Sequence, residues 1–223
     1  MTDVEVVGSG PNGLAAAVTL ARAGLRVRVY ERMLQAGGGA STRESVASGF
    51  WHDTCSAVHP LAVASPFFRA FGLTKRVEFV TPEISFAHPL LRGDGSGSGR
   101  GSGIAYRDLD RTVEGLGRDG AAYRRLIAPL AAHAPEVARF TGSTLLRVPP
   151  HPFVTARFGI RALAQGSPLW NAGFTGDVGP AMITGVAAHA IVRQPSLVGA
   201  AAGLALQTHA HAGGWPIPLG GSQ

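Results

Sequence analysis

Glycines 8, 10 and 13 stand in VVGSGPNGL (6–14) with the spacing GxGxxG, and an acidic residue, Glu31, closes the next extended run, VRVYE. Each residue type suits one task in holding a dinucleotide. Gly8 permits a tight turn, Gly10 lets the backbone approach a pyrophosphate, and Gly13 lets a helix lie close to its strand. Pro11 and Asn12 open that helix, whose free N–H groups and partial positive charge face the phosphates. Glu31 can accept hydrogen bonds from ribose hydroxyls, and Arg32 beside it joins the candidate set. A second glycine element, GGGAST (37–42), follows. Gly37 and Gly38 let backbone come near a ligand, and the Thr42 hydroxyl can bond a phosphate. A lone glycine turn fits a purely structural junction equally well, so the weight falls on the combination.

No acid/base pair can be read from the remaining residues. His52 and His59 flank Asp53 and Cys55, and each reads first as a hydrogen-bonded structural histidine, so no catalytic residue is nominated. His209 and His211, two apart on a helix, diverge, and no metal site is expected. Gly199 and Gly203 have GxxxG spacing and read as a close helix–helix contact.

The elements that would position the cradle are legible around it. Val4, Val6 and Val7 mark a strand, PNGLAAAVTLARAG a helix, and RVRVY a second strand. Residues 44–91 offer short extended pieces: ESVASGFWHD resembles a hairpin, VEFVTPEISF an extended pair, and SPFFRAFGL a short helix. The Gly/Ser-rich RGDGSGSGRGSG (92–103) is expected to be a hairpin tip between SFAHPL and IAYRDL. Helical patterns follow from Asp108 over 108–117 and 119–140, the latter kinked or divided by Pro129 and Pro135, then near 155–165, 178–192 and 195–210. The expected fold class is α/β, with a Rossmann-like domain whose sheet is incomplete and a mainly helical second portion. The expected division is 1–107, with a β-hairpin insert, and 108–223.

Length and an apolar fraction of 45% allow a buried core. The net charge of +6 comes from scattered arginines, with Lys75 as the single lysine, and no basic stripe interleaved with aromatics appears; a nucleic-acid partner is not expected. One cysteine excludes an internal disulfide, and no leader pattern is seen, so a cytoplasmic location is expected. From residue 140 onward only Arg147, Arg157, Arg161, Asp177 and Arg193 carry charge, far below the usual quarter of residues, so this portion is expected to line an apolar channel, rest against a membrane surface, or be covered by other protein.

The stretch VVGSGPNGLAAAVTLARAGLRVRVYERMLQAGGGAST resembles the FAD-binding fingerprint of flavoprotein oxidoreductases, in which a Gly-Gly element follows the acidic residue. Gly39 departs from it, standing where the family often has a basic residue. HDTCSAVHPLAVASPFF, GVAAHA and GGWPIPLGGS are similar to the phytoene desaturase-like branch. The resemblance implies FAD bound at Gly8, Gly10, Pro11, Asn12, Gly13, Glu31, Arg32, Gly37, Gly38 and Thr42, and flavin-dependent oxidation of an apolar substrate. Because one β-α-β unit does not complete a doubly wound sheet, the expectation includes a missing C-terminal half or a partner subunit. A noncatalytic remnant, a flavin amine oxidase and a nicotinamide-binding dehydrogenase stay open, the Gly-Gly element arguing against the last.

Overall fold

The computed structural model describes residues 2–90, 101–145 and 148–223. In chain order the elements are β1 (Val4–Val7), α1 (Pro11–Arg22), β2 (Val27–Tyr30), β3 (Thr42–Glu44), β4 (Trp51–Asp53), α2 (Pro60–Ala64) and α3 (Pro66–Phe71). Next come β5 (Phe79–Val80), β6 (Ile84–Leu90), β7 (Gly101–Tyr106), α4 (Leu109–Gly115), α5 (Gly120–Ala131) and α6 (Ala134–Thr141). The series closes with α7 (Pro152–Gln165), α8 (Val178–Ala187), α9 (Leu197–Ala212) and β8 (Ile217–Pro218). An N-terminal region mixing strands and helices is thus followed by a mainly helical portion.

Contacts divide the chain into two units, neither continuous in sequence: 1–59 with 71–80 and 217–223, and 60–70 with 81–216. The first holds the parallel pair β1–β2, in register from Val4 opposite Val27 to Val7 opposite Tyr30. α1 packs on the face carrying Val4, Val6, Val27 and Val29, while Glu5, Val7, Arg28 and Tyr30 are exposed. Gly24, at φ +89°, ends α1's exit turn in the left-handed region that glycine tolerates. β3 pairs antiparallel with β4, matching the expected hairpin, and β5 pairs antiparallel with β8.

In the second unit β6 and β7 pair antiparallel and pack against α8. The hairpin that the sequence places with the nucleotide portion therefore packs with the helices, because Gly103 and Gly185 leave room for Met182 and for the His88 ring. Residues 92–100 of the expected tip lie outside the described residues. The extended pair read in VEFVTPEISF forms two strands that take different partners, β5 with β8 and β6 with β7. Tyr123, Ile127, Leu130, Val137, Phe158, Met182 and Leu204 build the core, and α9 packs against α2, α5, α6, α7 and α8. Small residues allow that centrality: a Cβ on Gly203 would come within 2.9 Å of the Ala187 Cα on α8.

Of the two histidines near the end of α9, His209 is buried and His211 half-buried, and they do not share a site. His211 Nε2 is hydrogen-bonded to the Tyr123 hydroxyl at 2.8 Å, and burial pushes its pKa down to about 4. His209 is also pushed to about 4 by burial, with the Arg69 charge adding to the effect. An unfolded histidine takes up its proton near its ordinary value, about 6.5, where these two remain neutral in the fold. Stability of the second unit is therefore expected to fall as pH drops from about 6.5 toward 4. Thermal melts across that range check this, and His211→Gln should flatten the slope; a melt independent of pH there would contradict it.

Candidate functional site

The cradle is built at the C-terminal ends of β1 and β2. Gly8 adopts φ +94°, and its N–H donates to the Tyr30 carbonyl at 2.7 Å, fastening the turn to β2. Gly10 is the N-cap of α1 and no side chain caps that end; Pro11 occupies the first turn, where its missing N–H removes nothing from the helix ladder. The Leu14 N–H closes the first helical bond to Gly10 O at 2.9 Å. Gly13 is required by contact, since a Cβ there would overlap the Gly8 carbonyl. Pro11, Asn12 and Arg32 are exposed at this end of the unit.

Glu31 reaches back across the turn. Its Oε2 accepts from the Ser9 N–H at 2.8 Å and the Ser9 hydroxyl at 2.7 Å, and its Oε1 accepts from the Met33 N–H at 2.8 Å. The Met33 N–H foremost, then the Ser9 groups, hold its pKa down to about 2, so the carboxylate stays ionised at neutral pH. Two carboxylate oxygens offer about four acceptor positions, so capacity for a ribose hydroxyl is left. Ser9, buried beneath the turn, is part of the site through this bond; sequence reasoning passed over it because it fills a variable position between two glycines.

The second glycine loop lies directly on the first. The Gly37 N–H donates to Ser9 O at 3.0 Å, and a Cβ on Gly38 would sit 3.0 Å from the Gly10 Cα. Gly37 at φ +122° and Gly38 at φ +59° turn the chain tightly enough for this approach. The candidate residues from Gly8 through Gly38 thus gather at one end of the β1–α1–β2 unit, with Pro11, Asn12 and Arg32 on its exterior.

Thr42 stands apart from that surface. It is buried, and its hydroxyl donates to Asp53 Oδ1 at 2.7 Å while accepting from the Gln223 N–H at 3.1 Å. Asp53 also accepts from the Ser222 N–H at 2.9 Å. Burial works against its ionisation, but these donors hold its pKa below the usual carboxylate range. His59 Nε2 is 2.7 Å from Ser222 Oγ, and burial lowers its pKa. His52, on β4, is exposed and pairs in register with Arg43. The contributions of Ser222 and Gln223 carry no local signal in the sequence, because their partners lie at the other end of the chain. No group of three or more histidine, cysteine or acidic side chains is placed to hold a metal among the described residues. No helix among them is long and apolar enough to cross a membrane.

Comparison with known proteins agrees with this geometry. Residues 6–71 match the family described as an NAD(P)-binding Rossmann-like domain. An uncharacterised protein of Mycobacterium tuberculosis is 68% identical over 38 residues, covering 17% of this chain and 7% of the relative. A limonene dehydrogenase subunit of Castellaniella defragrans is 32% identical over 117 residues, 52% of this chain and 20% of the relative. Thiamine thiazole synthase of Saccharolobus islandicus is 58% identical over 38 residues, 17% of this chain and 14% of the relative. The matched part of the chain spans at most a fifth of the length of these relatives. The N-terminal region is a Rossmann-like nucleotide-binding domain of the kind found across FAD- and NAD(P)-binding oxidoreductases.

Proposed function

We propose that this chain is the N-terminal part of an FAD-dependent oxidoreductase of the phytoene desaturase-like kind, acting on an apolar substrate. The observation that carries the proposal is the Gly37–Gly38 loop laid against Gly10, a second backbone approach beyond what a nicotinamide cradle needs. The uncapped start of α1 suits the pyrophosphate, and the ionised Glu31 suits the ribose. Bound there, FAD would supply the redox chemistry by accepting a hydride equivalent from substrate. This chain's own residues bind and orient: Gly8, Gly10 and Gly13 present backbone, Glu31 fixes the turn, and Arg32 adds charge at its rim.

The second unit supports the substrate class. It contains a cavity of about 410 Å³ lined by Leu61, Phe140, Leu145, Phe158 and Leu206, with His189 among its few polar groups. The relative named as a limonene dehydrogenase subunit points the same way. We further propose that strands from the remainder of a longer chain, or from a partner subunit, cover the open face of β1–β2. Val7 is 88% exposed there and Tyr30 43%, whereas parallel sheets are normally buried on both faces.

The test is the visible spectrum of the purified chain after FAD is added and the excess removed. A retained flavin spectrum is expected. A folded chain that stays colourless and binds NAD instead would overturn the cofactor assignment. Glu31→Gln should weaken FAD retention about tenfold, since an amide cannot accept at both oxygens from Ser9 and Met33. Titration followed by flavin fluorescence reads this out; unchanged affinity would remove Glu31 from the binding role.

A further inference from the structure

Residues 219–223 do not trail away from β8. The Leu219 N–H donates to Glu78 O at 2.9 Å, and the chain then turns through Gly220 and Gly221, at φ +87° and +100°. Gly221 presses on Thr42, and any Cβ on it would overlap the Thr42 hydroxyl. Beyond it, four donors fall in succession on the segments around the second glycine loop. The Ser222 N–H takes Asp53, and the Ser222 hydroxyl donates to the Ser56 carbonyl while meeting His59. The Gln223 N–H takes Thr42 Oγ1, and its side-chain amide donates to the Ala36 carbonyl at 2.6 Å. Ala36 and Thr42 are the two ends of the loop that carries Gly37 and Gly38. The Gln223 amide nitrogen would also lie 3.2 Å from a Cβ on Gly37.

We infer that Gly221, Ser222 and Gln223 are positioning residues for dinucleotide binding, holding the second glycine loop at both ends in the shape that rests on Gly10. They act through Ala36, Thr42 and Asp53 and, at the Ser222 hydroxyl, through the Ser56 carbonyl and His59, and not on the ligand. The ligand side of this inference rests on the FAD reading above; the loop-holding side does not.

Two readouts separate those sides in the full chain. Hydrogen exchange follows the Gly37 and Ala40 amides, which bond to Ser9 O and Gly37 O, with β2 and α9 as internal references. Flavin fluorescence titration follows FAD affinity. Ser222→Ala should raise exchange at Gly37 and Ala40 about five- to tenfold and weaken FAD by a similar factor, with β2 and α9 unchanged. Ser222→Thr, which keeps the hydroxyl, should restore both. Gly221→Val should give larger changes of the same pattern, and if it fails to fold the Ser222 pair carries the test. Unchanged exchange at Gly37 and Ala40 in Ser222→Ala overturns the inference, whatever happens to FAD. So does faster exchange with undiminished FAD affinity. Faster exchange in a chain whose parent binds no FAD overturns the cofactor reading and leaves the loop-holding role standing.

Discussion

Gly13→Val should abolish FAD retention, weakening it at least about a hundredfold, and destabilise the first unit by about 3 kcal/mol. The reason is geometric. The obstruction a Cβ would meet is the Gly8 carbonyl, with the Gly8 carbonyl carbon 3.1 Å away and Val6 Cγ1 3.6 Å away. None of this is the mobile end of a long side chain, so α1 must lift from β1 or the Gly8 turn must open. Lifting α1 moves the N–H groups at its uncapped start, proposed above to bind the pyrophosphate, and uncovers Val4, Val6, Val27 and Val29. Opening the turn disturbs the Gly8 bond to Tyr30 O and the Ser9–Glu31 pair. Either response removes the cradle, whereas a substitution at Gly24 beyond the helix would strain only the turn's backbone, its Cβ meeting nothing within 4 Å. A desalted Gly13→Val protein with the flavin content of the parent would defeat this account.

The largest stability effect is expected in the second unit, at Asp119. This carboxylate is 1% exposed. Its Oδ1 accepts from the Thr175 N–H at 3.0 Å and the Gly176 N–H at 2.7 Å, and its Oδ2 from the Gly179 N–H at 2.9 Å. It thereby anchors the segment entering α8 and satisfies one of the orphan donors in that helix's first turn. Asp119→Ala leaves three donors without their acceptor at about 1–3 kcal/mol each, so a loss of about 3–5 kcal/mol and a drop in Tm on the order of 10 °C are expected. Burial alone would raise the Asp119 pKa, but the N–H donors of Gly179, Gly176 and Thr175 outweigh it and the net shift is downward. A carboxyl whose folded pKa is depressed contributes stability above its ordinary value and loses it as pH falls through the folded one. Acid unfolding of the parent should therefore be steeper than that of Asp119→Asn. Melts followed by circular dichroism decide it, and an Asp119→Ala midpoint within about 2 °C of the parent would contradict the assignment.

The local part of the fold was legible because it is locally encoded. Pro11, Gly24 and the valine alternation delimit β1, α1 and β2 within a residue or two, and Pro135 opens α6 where the long helical run was expected to divide. Asp108, where the helical pattern begins in the sequence, is the residue that caps α4, accepting from the Asp110 and Arg111 N–H groups. What escaped sequence reasoning is long-range. The pairing of β5 with β8, the return of Ser222 and Gln223 to Asp53 and Thr42, and the grip of Asp119 on residues 175–179 all join segments that no periodicity links. Ser9 escaped for a different reason: a serine in a glycine turn has no pattern until Glu31 is seen to meet it.

The interleaving of the two units has a kinetic side. β5 emerges early in synthesis, yet its partner β8 is made only after the entire helical unit, so Phe79 waits on the order of a hundred residues for Pro218. The entropy of closing so long a loop is modest if the intervening chain is already compact, since closure grows only slowly with length. The helical unit is thus placed to fold first, bringing 217–223 back as a consequence of its own collapse. Until then the second glycine loop lacks the bonds that reach Ala36 and Thr42 from Gln223. On the ribosome the nucleotide cradle would mature after the helical unit, although most of its residues are made before it.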